Sequence, residues 1–256
     1  MQKAVMRRLS STFAILSMTV IIWGYGEADS LLNSSLWLTP AKRGLSLQAE
    51  SIFGLFVATI NARTFALFII PICLFSVYNN MAPSHSAWIT RHSRKSINRW
   101  QTLRLLQSCI LFSGLVLVFH VGIYWLFMNQ HVEWSWQTGI LLLVIAATLG
   151  IIMMFWSVLF QCVLQLHISM LQALLLTYGT SLAWYFIGEN LLPSVWTPTK
   201  VFTIFQQVMI PATVGNHLHI EWGLISNAAT SIGVTLIFTL ALILIKSELA
   251  LRKEYY

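Results

Sequence analysis

Between Thr90 and Gln107 the chain reads TRHSRKSINRWQTLRLLQ, a block with five Lys or Arg residues (Arg91, Arg94, Lys95, Arg99, Arg104), no carboxylate, and a long apolar run on either side. A cationic island between apolar runs constrains the fold more than any other feature here. Runs of about 20 apolar residues match the thickness of a bilayer, and Lys and Arg beside them stay on the cytoplasmic face. Only 9% of the 256 residues are charged, against about 25% in a soluble domain. The expectation is an all-α polytopic membrane protein, with no room for a separate soluble catalytic domain.

Taken in order, the apolar runs predict six spans, at about 9–26, 65–80, 105–128, 138–165, 171–187 and 224–245. They form a single transmembrane domain with both chain ends cytoplasmic. Lys3, Arg7 and Arg8 precede the first run, and Trp23 and Tyr25 near its far end suit an interfacial anchor. Glu27 and the bulky residues after it do not resemble a cleavage site, so the first run is expected to stay as a span.

Residues 27–64 form an outer segment in which SIFGLFVATINA lies in or near the interface, and Arg63 sits at the outer boundary before span two. One long tilted span with Arg63 snorkelling is the alternative. Pro71 inside span two allows a kink. Residues 81–104 are the inner loop, and 188–223 are a second outer segment in which VFTIFQQVMI is amphipathic enough for a short interfacial helix before span six.

The charge distribution supports this arrangement. Eleven Lys or Arg residues fall inside (Lys3, Arg7, Arg8, Arg91, Arg94, Lys95, Arg99, Arg104, Lys246, Arg252, Lys253) and three outside (Lys42, Arg43, Lys200). The net charge of +7 is therefore explained by orientation and anionic lipid, not by nucleic acid.

The chemistry of most enzymes is absent. There is no Walker sequence, no H-E-x-x-H and no G-x-S-x-G, and the spans carry no Asp, Glu or Lys for an ion-coupled relay. Cys73, Cys109 and Cys162 lie in separate apolar runs, without C-x-x-C spacing, and read as buried thiols. His217 and His219 beside Glu221 lack further ligands, and His120 and His167 suit polar contacts between helices. Gly179, Ser181 and Ala183 on span five, like Ala146 and Gly150 on span four, offer small-residue faces for close helix or subunit packing.

FALFIIPICLFSVYNN (Phe65 to Asn80) followed by ITRHSRKSINRWQTLRLL (Ile89 to Leu106) resembles the second span and coupling segment of a known family. That family is the permease subunits of type 2 export-class ABC transporters, especially small bacterial ones for peptide export or antimicrobial-peptide immunity. The likeness covers nearly the whole chain: basic start, six spans, basic inner loop, larger outer insertion before span six.

The resemblance implies a subunit that is no enzyme and binds no cofactor itself, with ATP and Mg held by partner ABC ATPase subunits. It also implies a second permease, the same or related, in the cytoplasmic membrane of a bacterium. A coupling helix would cover about Ser86 to Trp100. Trp88, Ile89, Ile97 and Trp100 would be its apolar plugs, and Arg91, Arg94, Lys95 and Arg99 its polar partners. The family's inner loop often carries acidic residues, and this chain departs from it, with none between Glu50 and Glu133. The cargo implied is a hydrophobic or amphipathic peptide or a lipid-like molecule. Two other readings are a non-transporting immunity protein that sequesters a peptide and an integral membrane enzyme acting on lipids.

Overall fold

Inside a bilayer every backbone N–H and C=O must be satisfied within the chain, so apolar runs of this length become helices. The computed structural model describes residues 56, 60, 62–81, 94–127, 136–166, 168–191, 196–204 and 222–252, and among these all regular structure is helical. The first expected span, residues 9–26, lies outside the described residues. Helix α1 comprises Ala62–Thr64, a π-helical turn Phe65–Ile69, and Ile70–Met81. Helices α2 (Arg94–Phe127), α3 (Trp136–Leu164) and α4 (Met170–Phe186, extended by a π turn Ile187–Leu191) follow, and α5 is Trp222–Arg252.

Three stretches, Ser96–Gly122, Thr138–Leu164 and Ser226–Ala250, are long and apolar enough to cross a membrane, which makes this a membrane protein. Helix α2 has 34 residues, about 51 Å at 1.5 Å per residue, well beyond the ~30 Å hydrocarbon core. It begins eleven residues before the expected start of span three. Arg94–Trp100 are therefore the first turns of one continuous rod.

Helix α3 is the hub. It packs against α1, α2, α4 and α5, and from Ile152 to Val158 its side chains are buried on every face. A helix apolar all round belongs in the middle of a bundle. Small residues set how close its neighbours come: a Cβ at Gly150 would sit in van der Waals contact with Ser113 Oγ of α2.

Pro71 explains the π turn. It has no N–H for the carbonyl four residues back, that of Leu67, and its ring crowds that carbonyl. The helix widens just before it, with the Ile70 N–H bonding to the Phe65 carbonyl. The orphaned Leu67 oxygen accepts a 3.2 Å hydrogen bond from the Tyr178 hydroxyl of α4. One proline thus locally unwinds α1 and anchors α4 to it.

Buried hydroxyls are handled more simply. Thr148, Thr177, Thr235 and Thr239 donate to carbonyls four residues back on their own helices at 2.7–2.8 Å, which lets a polar side chain sit in the interior without an interhelical partner. Helix α4 starts with Ser169 as N-cap, its side chain accepting from Gln172 N–H while Gln172 accepts from Ser169 N–H. This reciprocal cap lets the chain reverse within five residues of the end of α3.

Contacts fix the directions. The start of α2 meets the ends of α3 and α5, since Lys246 bonds to Thr102 and Cys162 to the Leu242 carbonyl. This is called the basic end below. At the opposite end, residues 201–204, the described part of VFTIFQQVMI, are helical, and Val201, Phe202 and Ile204 are buried. Phe202 lies against Phe65 of α1 at 4.8 Å between ring centroids and near Phe56 at 6.4 Å. The expected interfacial segment is inserted between helix ends. Arg63, the second residue of α1, is exposed.

Candidate functional site

The basic end carries Arg94, Lys95, Ile97, Arg99 and Trp100, five of the eight residues expected in a coupling helix. Trp88, Ile89 and Arg91 lie outside the described residues, as do His217, His219 and the side chain of His167. Arg94 and Lys95 open α2. At 100° per residue the next positions divide into two faces. Ile97, Trp100 and Arg104 fall on one, and the Arg104 guanidinium lies over the Trp100 ring at 5.1 Å from its centroid, a cation–π contact. Arg99 falls on the other face and is exposed. Ile97 and Trp100 thus share a face with Arg104, while Arg99 stands apart on the other side of the rod.

Directly above Arg99 along α2, residues Leu103, Leu106, Ile110, Ser113 and Gly114 line a groove of about 640 Å³ between α2, α3 and α5. Its other walls are Leu143, Ala146, Ala147, Gly150, Ile151 and Met154 of α3 and Leu236, Thr239, Leu240 and Ile243 of α5. Ala146 and Gly150, noted for close packing, provide the space. Leu103, Ile110, Leu143 and Leu240 are each more than half exposed, so the groove opens sideways along the bundle.

Lys246 lies about one turn past Ile243 of the groove wall, at the basic end, and bonds to Thr102 of the lining. Sequence placed it in a solvated inner tail, whereas it lies inside α5 and is 1% exposed. Its Nζ donates to Thr102 Oγ1 at 2.9 Å, and Thr102 donates in turn to the Asn98 carbonyl at 3.0 Å. Helix α5 continues seven residues further than expected, so a position counted as tail becomes an interhelical contact. No carboxylate was available to mark it: Glu189 and Glu248 are the only ones among the described residues, and position 248 falls on the opposite face of α5 from the groove.

Removing the acceptor should cost more than removing both groups. Thr102→Val strands a buried ammonium and is expected to destabilise the bundle by about 1 kcal/mol, since the flexible lysine stem can relax. Lys246→Met added to it should restore most of that loss, because a buried charge exchanged for an apolar side chain is often neutral. Denaturant unfolding in micelles would read both. A double variant less stable than Thr102→Val would refute the linkage.

Two thiols meet near the bundle's middle. Cys109 Sγ of α2 donates to Ser157 Oγ of α3 at 3.6 Å, and Cys73 Sγ of α1 lies 3.8 Å from the same oxygen. All three cysteines are free and buried. Among the described residues no three His, Cys, Asp or Glu side chains converge as a metal site would require. His120 is buried with its ring edge-on to Phe56 at 5.8 Å.

The small-residue face of span five divides. Ser181 is buried with Thr177 and Ala173, whereas Gly179 and Ala183 are exposed on α4, with nothing within 4 Å of where a Gly179 Cβ would stand. Within this chain the close packing falls to the Ser181 face. Tyr178, Thr102 and Lys246 were not anticipated as contacts. Pro71 was the one readable signal for Tyr178, since a proline always frees a carbonyl. Compared with family models, curated proteins and solved structures, the chain matches none of them.

Proposed function

We propose that the chain is the permease subunit of an ATP-driven exporter of the type 2 ABC class, in the cytoplasmic membrane of a bacterium. Two copies, or one copy and a related permease, would face each other, with ABC ATPase subunits at the basic end. The observation that carries this reading is helix α2, in which Arg94–Trp100 and the apolar length to Phe127 form one uninterrupted rod packed on the hub helix α3. A displacement applied to its first two turns moves a membrane helix directly, and the Lys246–Thr102 bond passes it to α5.

The cargo on this reading is a hydrophobic or amphipathic peptide or a lipid-like molecule. The described interior holds several hydroxyls bonded to their own helices, His120, Gln161 and Lys246, but no buried carboxylate, which suits greasy cargo better than ions or sugars. Exposed Gly179 and Ala183 allow a close approach by a second subunit.

The test is co-purification. Tagged chain should capture ATPase subunits from its own cell, and Trp88→Asp with Ile89→Asp should reduce capture at least tenfold and abolish transport. Undiminished capture and transport would refute the coupling assignment. Protection against an external peptide that persists without any ATPase would favour the sequestering immunity protein instead.

A further inference from the structure

The groove between α2, α3 and α5 has the dimensions and polarity of a lipid site. Its lining runs from Thr102 to Gly114 along α2, about 18 Å at 1.5 Å per residue, close to half of the ~30 Å hydrocarbon core, the depth that one acyl chain occupies. The walls are almost wholly aliphatic, and it is open along one side. A free amphiphile in the bilayer could enter laterally.

The polar end of the groove is basic. Arg99 occupies the position one turn before Leu103 on the same stripe of α2 and is exposed. Thr102 lines this end of the groove, and Lys246 bonds to it from behind the lining. Neither described carboxylate lies on this line, and none occurs in the sequence between Glu50 and Glu133. An apolar channel one leaflet deep that ends beside the exposed Arg99 guanidinium is complementary to a phosphate head group with an acyl chain attached.

The geometry points to this groove as a binding site for an anionic phospholipid from the leaflet at the basic end, its acyl chain along Leu106, Ile110 and Gly114 and its phosphate at Arg99. The site does not depend on the transport reading, since the chain alone holds all of it. A lipid wedged between α2 and α5 would set the spacing of the helices that Lys246 and Thr102 join.

The experiment is a lipid titration of the purified full-length chain in neutral detergent, read by native mass spectrometry, with phosphatidylglycerol and phosphatidylcholine of matched chains. The wild type should prefer phosphatidylglycerol. Arg99→Gln should cut that preference about fivefold, since one basic residue near a membrane surface contributes about 1 kcal/mol. Arg104→Gln, on the opposite face, should leave it unchanged.

Gly114→Leu, where a side chain meets nothing within 4 Å, should weaken both lipids about tenfold by filling the groove. Leu143→Trp does the same from α3 should the glycine variant not fold. The proposal is overturned if Arg99→Gln keeps the wild-type preference, if Arg104→Gln reduces it equally, or if the groove-filling variants bind as the wild type does. Displacement of the lipid by inorganic phosphate alone would also overturn it, by marking an anion site with no role for the chain.

Discussion

Trp156→Ala is expected to destabilise the bundle by about 3 kcal/mol, toward the lower end of the 3–5 kcal/mol usual for emptying a buried aromatic position. Trp156 is the largest fully buried side chain, on the part of α3 that is enclosed from all sides. Its ring meets Phe155 edge-on at 5.2 Å and Trp184 of α4 at 5.8 Å. Trp184 contacts Trp196, which stacks on Phe238 of α5 at 4.9 Å. Emptying the position therefore loosens three elements at once.

The lower end is expected because unfolded membrane helices remain in an apolar solvent. The loss is then mainly of dispersion contacts around the void, with little change in hydration. Trp156→Phe provides the control. The indole Nε1 has no hydrogen-bond partner, so a phenyl ring that keeps most of the volume should cost under about 1.5 kcal/mol. Unfolding by denaturing detergent, followed by circular dichroism, would measure both. Equal losses would mean that ring volume is not what the site requires.

Gly188→Ala is expected to cost about 1–3 kcal/mol, the usual range for overpacking, and to loosen the end of the bundle opposite the basic one. A Cβ at Gly188, in the π turn that ends α4, would overlap the Thr197 Cγ2 methyl. Thr197 has no freedom to give way. It is 1% exposed, and its segment continues into Val201 and Phe202, which are equally buried and held against Phe65.

Thr197→Ser removes only the overlapping methyl and leaves the contacts at 3.2 and 3.3 Å. It should recover most of the stability lost in Gly188→Ala. Failure of the serine to rescue, with full loss in the glycine variant, would place the cause in the backbone of α4 and not in this contact. Proteolysis within 196–204 gives a second readout, since cleavage should accelerate in Gly188→Ala and slow again in the pair.

The helices were legible from the sequence because apolar composition over a bilayer's length admits little else. The apolar runs beginning near 65, 105, 138, 171 and 224 all correspond to helices, with starts that differ most for α2 and ends that differ most for α5. Those two differences share a cause. Residues such as Arg94–Trp100 and Lys246–Arg252 look like loop by charge, yet a helix already nucleated by an apolar run propagates through them at little cost, since Lys and Arg are good helix formers. The π turn was half legible: Pro71 announced a disturbance, but its form depended on Tyr178 being there to donate to the freed Leu67 carbonyl.

The candidate site divides in the same way. Cationic residues around Arg94 and Arg99 were conspicuous because orientation depends on charge, which composition displays directly. That Arg99 lines up with Leu103, Leu106 and Ile110 while Trp100 pairs with Arg104 follows once the region is one helix. That the stripe faces a groove required α3 and α5 to be placed beside it. Lys246 shows the limit most clearly. Read along the chain it is one of eleven inner cations, and only the approach of Thr102 from a helix 144 positions away makes it a buried contact.

What the sequence determined by itself is therefore the helices and their fitness for a membrane, because both follow from local apolar length. Which faces meet is a property of pairs of helices far apart in the chain. The hub role of α3, the groove, the Pro71–Tyr178 and Gly188–Thr197 fits and the Lys246–Thr102 bond were decided only by tertiary structure. In lipid, helix pairing rests on steric fit and a few hydrogen bonds, and these leave no periodic mark in a run that is apolar on every side.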